Sequence, residues 1–274
     1  MKRFFQVALA VALAVLPFTV SHASASGGRV IRIGSDVSYA PLEFFDRKVV
    51  RGFDYDLAQA LGAKLNARVE FTNQDFNSLP KALAGGRYDA VISAMSDTRS
   101  REKALDFVDY FLAGTGILVR HGNPQHIFSL DALCGLTVDV EKGTAQEAAI
   151  AKASQRCRDL HLKPIAVLSF ATDADAFKAL QEGKSVAHVS DYPVVAYQAR
   201  TFNDGKTFEV AGRQFGVIPY GIAVTKTNAR MRTELQSALR AVIADGTYDT
   251  LLKKWGLEQG AMRAASVNSG TKFE

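Results

Sequence analysis

The chain has 274 residues, 47% of them hydrophobic and 22% charged, with a formal net charge of +5. That composition is ordinary for a globular protein and excludes a collagen-like, low-complexity or cysteine-dense chain. The charge is mild, falls to +3 once Lys2 and Arg3 are set aside, and is nowhere gathered into a Lys/Arg cluster, so no nucleic-acid partner is expected.

The first element is a targeting segment. Lys2 and Arg3 form a positive start, and Val7 to Val20 is an apolar run interrupted by one Pro and one Thr. Ser21-His22-Ala23 and Ala23-Ser24-Ala25 each put small residues at −3 and −1 of a cleavage site. Residues 1–25 therefore read as a signal peptide, cleaved after Ala23 or Ala25, and the run is too short for a stable membrane span. No Cys follows it to accept a lipid, and no later stretch approaches eighteen apolar residues. A soluble, periplasmic mature chain of about 250 residues is expected, enough for one large domain or two medium lobes.

The mature chain opens on an alternating strand, Val30-Ile31-Arg32-Ile33-Gly34. Gly52 to Gly62 carries apolar residues at helical spacing behind an Asp that can cap. Ala67 to Phe71 is a second strand, Leu79 to Ala84 a short helix stopped by Gly85-Gly86, and Tyr88 to Ser93 a third strand. The rhythm restarts beyond residue 120. Strands are read at Leu136–Val140, Ile165–Leu168 and Val186–Ser190, with helices from Gly143-Thr144 to about Arg156 and from Ala174 to Gln181. One more strand at Tyr220–Val224 precedes a helical region from Arg230 to Trp255. Alternating β-α-β units argue for an α/β fold with a mainly parallel sheet.

A weak internal repeat supports two similar halves. Gly86 and Gly183 each stand seven residues before a serine, Ser93 and Ser190, with Arg or Lys next and Ala four on. Both units read as a helix, a Gly stop and a strand ending in Ser. Residues 261–274 bear Ser, Asn and Gly without periodicity, and a loosely ordered tail is expected there. The two mature cysteines, Cys134 and Cys157, can form one disulfide in an oxidising compartment or remain buried thiols.

Ligands of parallel α/β sheets lie beyond the carboxyl ends of the strands. Asp36 and Tyr39 follow the first strand, Phe76 the second, and Ser93, Ala94, Ser96 and Arg101 the third. In the second half Glu141, Ala145 and Gln146 follow one strand and Asp191 another. This set suits an α-amino acid. Arg101 can hold a carboxylate through two parallel N–H bonds, and the helix after Gly143-Thr144 offers free N–H groups to the same anion. Asp191, Ser93 and Ser96 can accept from an ammonium, while Tyr39 and Phe76 supply flat walls.

In chain order the sequence presents Gly34 to Glu43, Gly52-Phe53-Asp54-Tyr55-Asp56-Leu57, Gly86-Arg87-Tyr88-Asp89-Ala90 and Met95-Ser96-Asp97-Thr98-Arg99-Ser100-Arg101. Val140 to Gln146, Val189-Ser190-Asp191 and Ala244-Asp245-Gly246-Thr247-Tyr248 follow. The ordered set resembles the polar amino-acid family of periplasmic solute-binding proteins, bacterial extracellular solute-binding family 3, the receptors of ABC importers. The resemblance implies a two-lobed, type II (Venus-flytrap) fold with two hinge crossovers. Lobe 1 would be residues 29–116 plus 219–260 and lobe 2 residues 120–214. It also implies that Arg101, with the N–H groups of Ser96 and Ala145, holds the ligand carboxylate. Asp191, Ser93 and Ser96 would hold the ammonium, and Asp36 and Glu141 would read the side chain. Partners implied are a small amino acid and an inner-membrane ABC permease, with a monomeric chain and no cofactor or metal. Three departures stand out: Tyr55 where the family prefers a small aliphatic residue, Ala94 where receptors for cationic amino acids commonly carry serine, and Ala145 where threonine is common.

Catalytic signals are thin. Asp204-Gly205-Lys206-Thr207 lacks the earlier Gly of a phosphate loop, since Arg200 stands there, and no GxSxG occurs. The histidines share no metal-ligand spacing with a carboxylate partner. Asp54, Asp56 and Trp255 are read as structural. With Arg101 and Asp191 assigned to the two ends of an amino acid, Asp36 and Glu141 remain without a cation, and a cationic ligand (arginine, ornithine, lysine or histidine) is expected ahead of glutamine. A dehydratase resembling cyclohexadienyl dehydratase, with Glu141 as acid, and a ligand-sensing partner of a membrane receptor are the alternative functions.

Overall fold

The computed structural model describes residues 28–273, so the targeting segment read over residues 1–25 lies outside the described residues. The chain opens with β1 (Arg29–Ser35) and a small three-stranded sheet of β2 (Ser38–Tyr39), β3 (Glu43–Asp46) and β4 (Val49–Arg51). Next come α1 (Phe53–Lys64), β5 (Ala67–Asn73), α2 (Leu79–Ala84), β6 (Ala90–Val91) and α3 (Arg99–Glu102). A long strand, β7 (Leu105–Arg120), leads to β8 (Thr137–Glu141), α4 (Ala145–Asp159), β9 (Ala166–Phe170), α5 (Asp173–Gln181), β10 (Ala187–Asp191) and α6 (Tyr192–Thr201). The chain ends with β11 (Phe208–Val210), β12 (Phe215–Thr225), α7 (Ala229–Ala244) and α8 (Thr247–Trp255), followed by an irregular tail.

The main sheet runs β5-β1-β6-β12-β7-β10-β8-β9, with β11 paired to β7. β5, β1 and β6 are mutually parallel at one end, and β10, β8 and β9 at the other. Between them β12 and the 16-residue β7 pair antiparallel, β12 joining β6 of the first half and β7 joining β10 of the second. This is the two-lobed mixed α/β architecture: two βα halves joined by two long strands. One apolar core packs α1, α7 and α8 on β1, β7 and β12 through Ile31, Ile33, Phe53, Leu57, Tyr110, Ile222, Leu239 and Tyr248. A second packs α4 against β8, β10 and the far end of β7 through Ile117, Val138, Val140, Ile150 and Val189.

Local sequence explains most elements. Thr144, Thr172 and Asn228 cap α4, α5 and α7 by accepting the N–H groups of Glu147, Asp175 and Met231, one turn inside each helix. The repeat seen in the sequence is a structural one. Gly86 and Gly183 take nearly the same left-handed conformation (φ 74° and 73°), and each closes its helix with paired backbone bonds back to Leu83 and Ala82, or Leu180 and Ala179.

Five differences from the sequence reading stand out. β7 was not expected: it is buried on both faces almost throughout, so it shows no alternation, and Asp106 and Asp109 interrupt its apolar run. α6 was also missed. The third strand shrinks to Ala90–Val91, and the helical region from Arg230 to Trp255 is two helices separated at Asp245-Gly246, where Gly246 adopts φ 80°. The tail, expected to be loose over residues 261–274, is instead tied down as far as Lys272. Met262 N–H donates to Tyr248 Oη (3.0 Å), the Ala265 carbonyl accepts from Gln236 (2.8 Å), and Ala261 and Val267 form bridges to Phe111 and Val108.

Cys134, just before β8, and Cys157, in the last turn of α4, form a disulfide with Cα atoms 5.6 Å apart. It closes a loop with a sequence separation of 23, which chain-entropy reasoning equates with about 3 kcal/mol. The Cys134→Ser/Cys157→Ser double variant is expected to lose about that much unfolding free energy in urea. A loss below about 1 kcal/mol would show that the cross-link contributes little beyond the packing of α4.

Candidate functional site

Every sequence-predicted ligand residue lines one narrow, partly open pocket between the two halves: Asp36, Tyr39, Phe76, Ser93, Ala94, Ser96, Arg101, Glu141, Ala145, Gln146 and Asp191. Glu43 and the Thr144 side chain complete the lining.

On the first half, the carboxyl ends of β1, β5 and β6 present Asp36, Phe76 and the loop from Ser93 to Arg101. Asp36 accepts from Ser38 Oγ (2.6 Å) and the Phe76 N–H (2.9 Å). Burial raises its pKa, opposed by those hydrogen bonds. Ser93 Oγ accepts from the Asp36 N–H (2.9 Å) and donates to Glu43 Oε1 (2.8 Å). One lone pair of Ser93 therefore remains for a ligand ammonium. Glu43 is fully buried beside Asp54, and burial, reinforced by the Asp54 charge, pushes its pKa well above the carboxylate range. Asp54, raised to about 6 by burial, accepts from Tyr110 Oη and the Ala94 N–H, so the structural role read for it fits its partners. Asp56 likewise holds Lys254 and Trp255 at the end of α8.

Arg101 reaches across the cleft. Its Nη1 donates to the Ser96 carbonyl (2.8 Å), its Nη2 to the Gly143 carbonyl of the other half (3.0 Å), and its guanidinium lies 5.3 Å from the Phe76 ring centroid. Two of five N–H donors are thus used, and three remain. Burial lowers its pKa to about 10, opposed by Asp191, Asp97 and Glu141, so it stays charged at neutral pH.

On the second half, Asp191 ends β10. It accepts from Gln146 Nε2 (2.7 Å) and from Tyr39 Oη (2.8 Å), a residue of the opposite half. Burial raises its pKa to about 6 despite those bonds. Tyr39 Oη also lies 2.9 Å from Ser190 Oγ, which donates to Asp173 (2.6 Å). Ser93 and Ser190, the repeat-related serines, are thus both pinned by a buried carboxyl. Glu141 is buried, and its Oε1 has no hydrogen-bond partner among the described residues. Burial, then the charges of Asp173, Asp36 and Asp191, pushes its pKa well up, and neighbouring Lys142 is exposed. Behind Asp173, the buried His188 sits 2.5 Å from Asp139 and 3.2 Å from Asp173. Burial opposes its charge, but the two carboxylates outweigh that and raise it to about 10.

The chain matches the family of bacterial extracellular solute-binding proteins, family 3, across residues 31–258. It belongs to that family. A putative ABC transporter arginine-binding protein 2 of Escherichia coli is 32% identical over 85% of this chain and 93% of the relative. An ancestral arginine-binding protein, solved bound to arginine, is 36% identical, covers 82% of this chain and 97% of its own, and superposes with a TM-score of 0.75. An ancestral amino-acid-binding protein described as a precursor of cyclohexadienyl dehydratase is 32% identical, with TM-score 0.74, covering 82% of this chain and 95% of its own. Other relatives are named as glutamine-, histidine- and lysine/arginine/ornithine-binding proteins. The homologues are thus amino-acid-binding components of ABC transporters, and their ligands differ.

Glu43 escaped the sequence reading as a site residue because a Glu within Pro41-Leu42-Glu43-Phe44-Phe45 looks like the solvent face of a hairpin. The signal that could have found it is the nearby Asp54, which the β3–β4 hairpin brings against it. No group of His, Cys, Asp or Glu among the described residues is placed to hold a metal ion.

The His188 ring is held by two buried acids. His188→Leu leaves both without their cation, and its unfolding free energy at neutral pH should fall by about 3–5 kcal/mol. His188 has a raised pKa, so its stabilisation is complete below its unfolded value of about 6.5 and fades as pH rises through about 10. Urea unfolding at pH 7 that differs by less than about 1 kcal/mol would contradict the charged assignment.

Proposed function

We propose that this protein is the periplasmic binding component of an amino-acid ABC importer and that its ligand is a cationic L-amino acid. The observation that supports this reading is the charge count of the cleft: one guanidinium, Arg101, faces four carboxyl groups, Asp36, Glu43, Glu141 and Asp191; Glu43 is engaged by Ser93, whereas Glu141 Oε1 has no hydrogen-bond partner among the described residues. The α-carboxylate of the ligand takes the free donors of Arg101 and the N–H groups of Ser96 and Ala145. The α-ammonium takes Asp191, with Ser93 and Ser96. A side-chain guanidinium or ammonium then balances Asp36 and Glu141, and Tyr39 and Phe76 pack its aliphatic stem. Placing a cation there offsets the burial and the neighbouring negative charges that push the Glu141 pKa up.

Binding works by closure. Residues 29–116 plus 219–260 form one lobe and residues 120–214 the other, and bending within β7 and β12 opens the cleft. A ligand that touches both lobes shifts the population to the closed state, in which Tyr39 meets Asp191 and Arg101 meets Gly143. An inner-membrane permease then reads the closed shape. The chain acts as a monomer, exported by residues 1–25 with cleavage after Ala23 or Ala25, and no cofactor takes part.

A thermal-shift screen of the mature protein against all amino acids tests the ligand class. At a hundred times the dissociation constant the shift corresponds to about 2.7 kcal/mol. Arginine, ornithine, lysine or histidine should raise the melting temperature most, and a screen in which only glutamate and aspartate act would overturn the cationic assignment. By calorimetry, Arg101→Ala and Asp191→Ala should each weaken binding at least about a hundredfold. Glu141→Gln should narrow the preference for arginine over glutamine. Binding by Arg101→Ala at native affinity would remove the carboxylate assignment.

A second reading rests on the same unpartnered group. A carboxyl whose pKa is raised by burial in a cleft also suits a general acid, which would make the chain a periplasmic dehydratase acting on prephenate or arogenate. Mass spectrometry after incubation separates the two. Conversion to an aromatic product that Glu141→Gln abolishes supports catalysis, and intact substrate supports binding alone.

A further inference from the structure

The family match ends at residue 258, but the chain continues, and the continuation returns beneath the site. Asn268 pairs with Phe107 of β7 in both directions: its N–H donates to the Phe107 carbonyl (3.1 Å), and its Oδ1 accepts from the Phe107 N–H (2.7 Å). Ser266 Oγ, Ser269 Oγ and the Ser269 N–H converge on one oxygen of the buried Asp109 at 2.8, 2.6 and 3.1 Å. Next, the Gly270 N–H donates to Asp97 Oδ2 at 2.8 Å. The approach is so close that a Cβ on Gly270 would stand 1.8 Å from the Asp97 carbonyl oxygen. Glycine alone lets the two backbones meet there.

Asp97 is no bystander to the cavity. It is fully buried and lies between Ser96, whose carbonyl holds the Arg101 guanidinium at 2.8 Å, and Thr98, whose Oγ1 caps α3 at the Arg101 N–H. Its own N–H is fixed on the Pro219 carbonyl of β12 (2.8 Å). β12 thus holds the backbone of the segment at Met95, Ser96 and Asp97, and the tail holds the Asp97 carboxyl. We propose that Ser266–Gly270, outside the family domain, is a positioning element for ligand binding: it clamps Asp97 and so sets where Arg101 meets the ligand carboxylate. Binding groups tolerate only small displacements, so a slack clamp weakens affinity without removing any ligand contact.

This proposal rests on the reading of the cavity as an amino-acid site, and two readouts keep them apart. The first is calorimetry with L-arginine, well below the melting temperature. The second is hydrogen–deuterium exchange of residues 94–101 without any ligand. Gly270→Ala should weaken arginine binding at least tenfold and speed exchange at residues 94–101. Arg263→Ala, which cuts the exposed tail pair with Asp249, should change neither. A chain ending at Ser269 lacks the Gly270 donor and serves in the same way if Gly270→Ala fails to fold. Faster exchange confined to β7, with native exchange at 94–101 and native affinity, would make the tail a cover for β7 and overturn the proposal. If the unaltered protein binds no amino acid, the cavity reading fails, and exchange at 94–101 still decides whether the tail clamps that loop.

Discussion

A buried cleft lined by one guanidinium and four carboxyl groups cannot keep them all ionised without help from outside. Burial makes each charge costly, and the structure meets that cost unevenly. Asp36 has a hydroxyl and a backbone N–H, Asp191 has an amide and a phenol, and Arg101 has two carbonyls and an aromatic face. Glu141 has no partner on Oε1 and is pushed toward its neutral form. The imbalance is what the proposed ligand, a zwitterion with an extra positive charge, would relieve.

The bracing is layered. Glu43 and Asp54 hold Ser93 and Ala94 in place, and the His188–Asp139–Asp173 cluster holds Ser190, which lies against Tyr39. Both lobes use the same device, a buried carboxyl pinning the serine at the end of a repeat-related unit. Tyr39 joins the two layers, because its hydroxyl sits on the partner lobe while its ring belongs to the first. In the proposed closure, the groups that meet are already fixed in each half, which limits the entropy that ligand binding would cost.

How much of this could be read from the sequence depended on how each feature writes itself into side chains. Arg101, Asp191 and Asp36 were legible because charged residues just past buried strands have few other uses, and Gly86 and Gly183 because a helix stop needs a left-handed residue. β7 was illegible: a strand buried on both faces has no period, and its two acids disguise it. The tail was misread as loose because what ties it are backbone groups, two serines, an asparagine and a glycine that meets Asp97, none of which forms a pattern. Glu43 was missed as a site residue for a related reason, since a buried acid on a hairpin looks like a surface one until its partner, Asp54, is placed beside it.

The central claim is that a ligand cation takes over the role of a proton on the Glu141 carboxyl. Calorimetry of L-arginine binding at neutral pH, repeated in buffers of different ionisation enthalpy, measures that exchange directly. The account predicts an apparent enthalpy that varies linearly with the buffer enthalpy and reports net proton release on arginine binding. Binding with no buffer dependence, or with proton uptake, would contradict it.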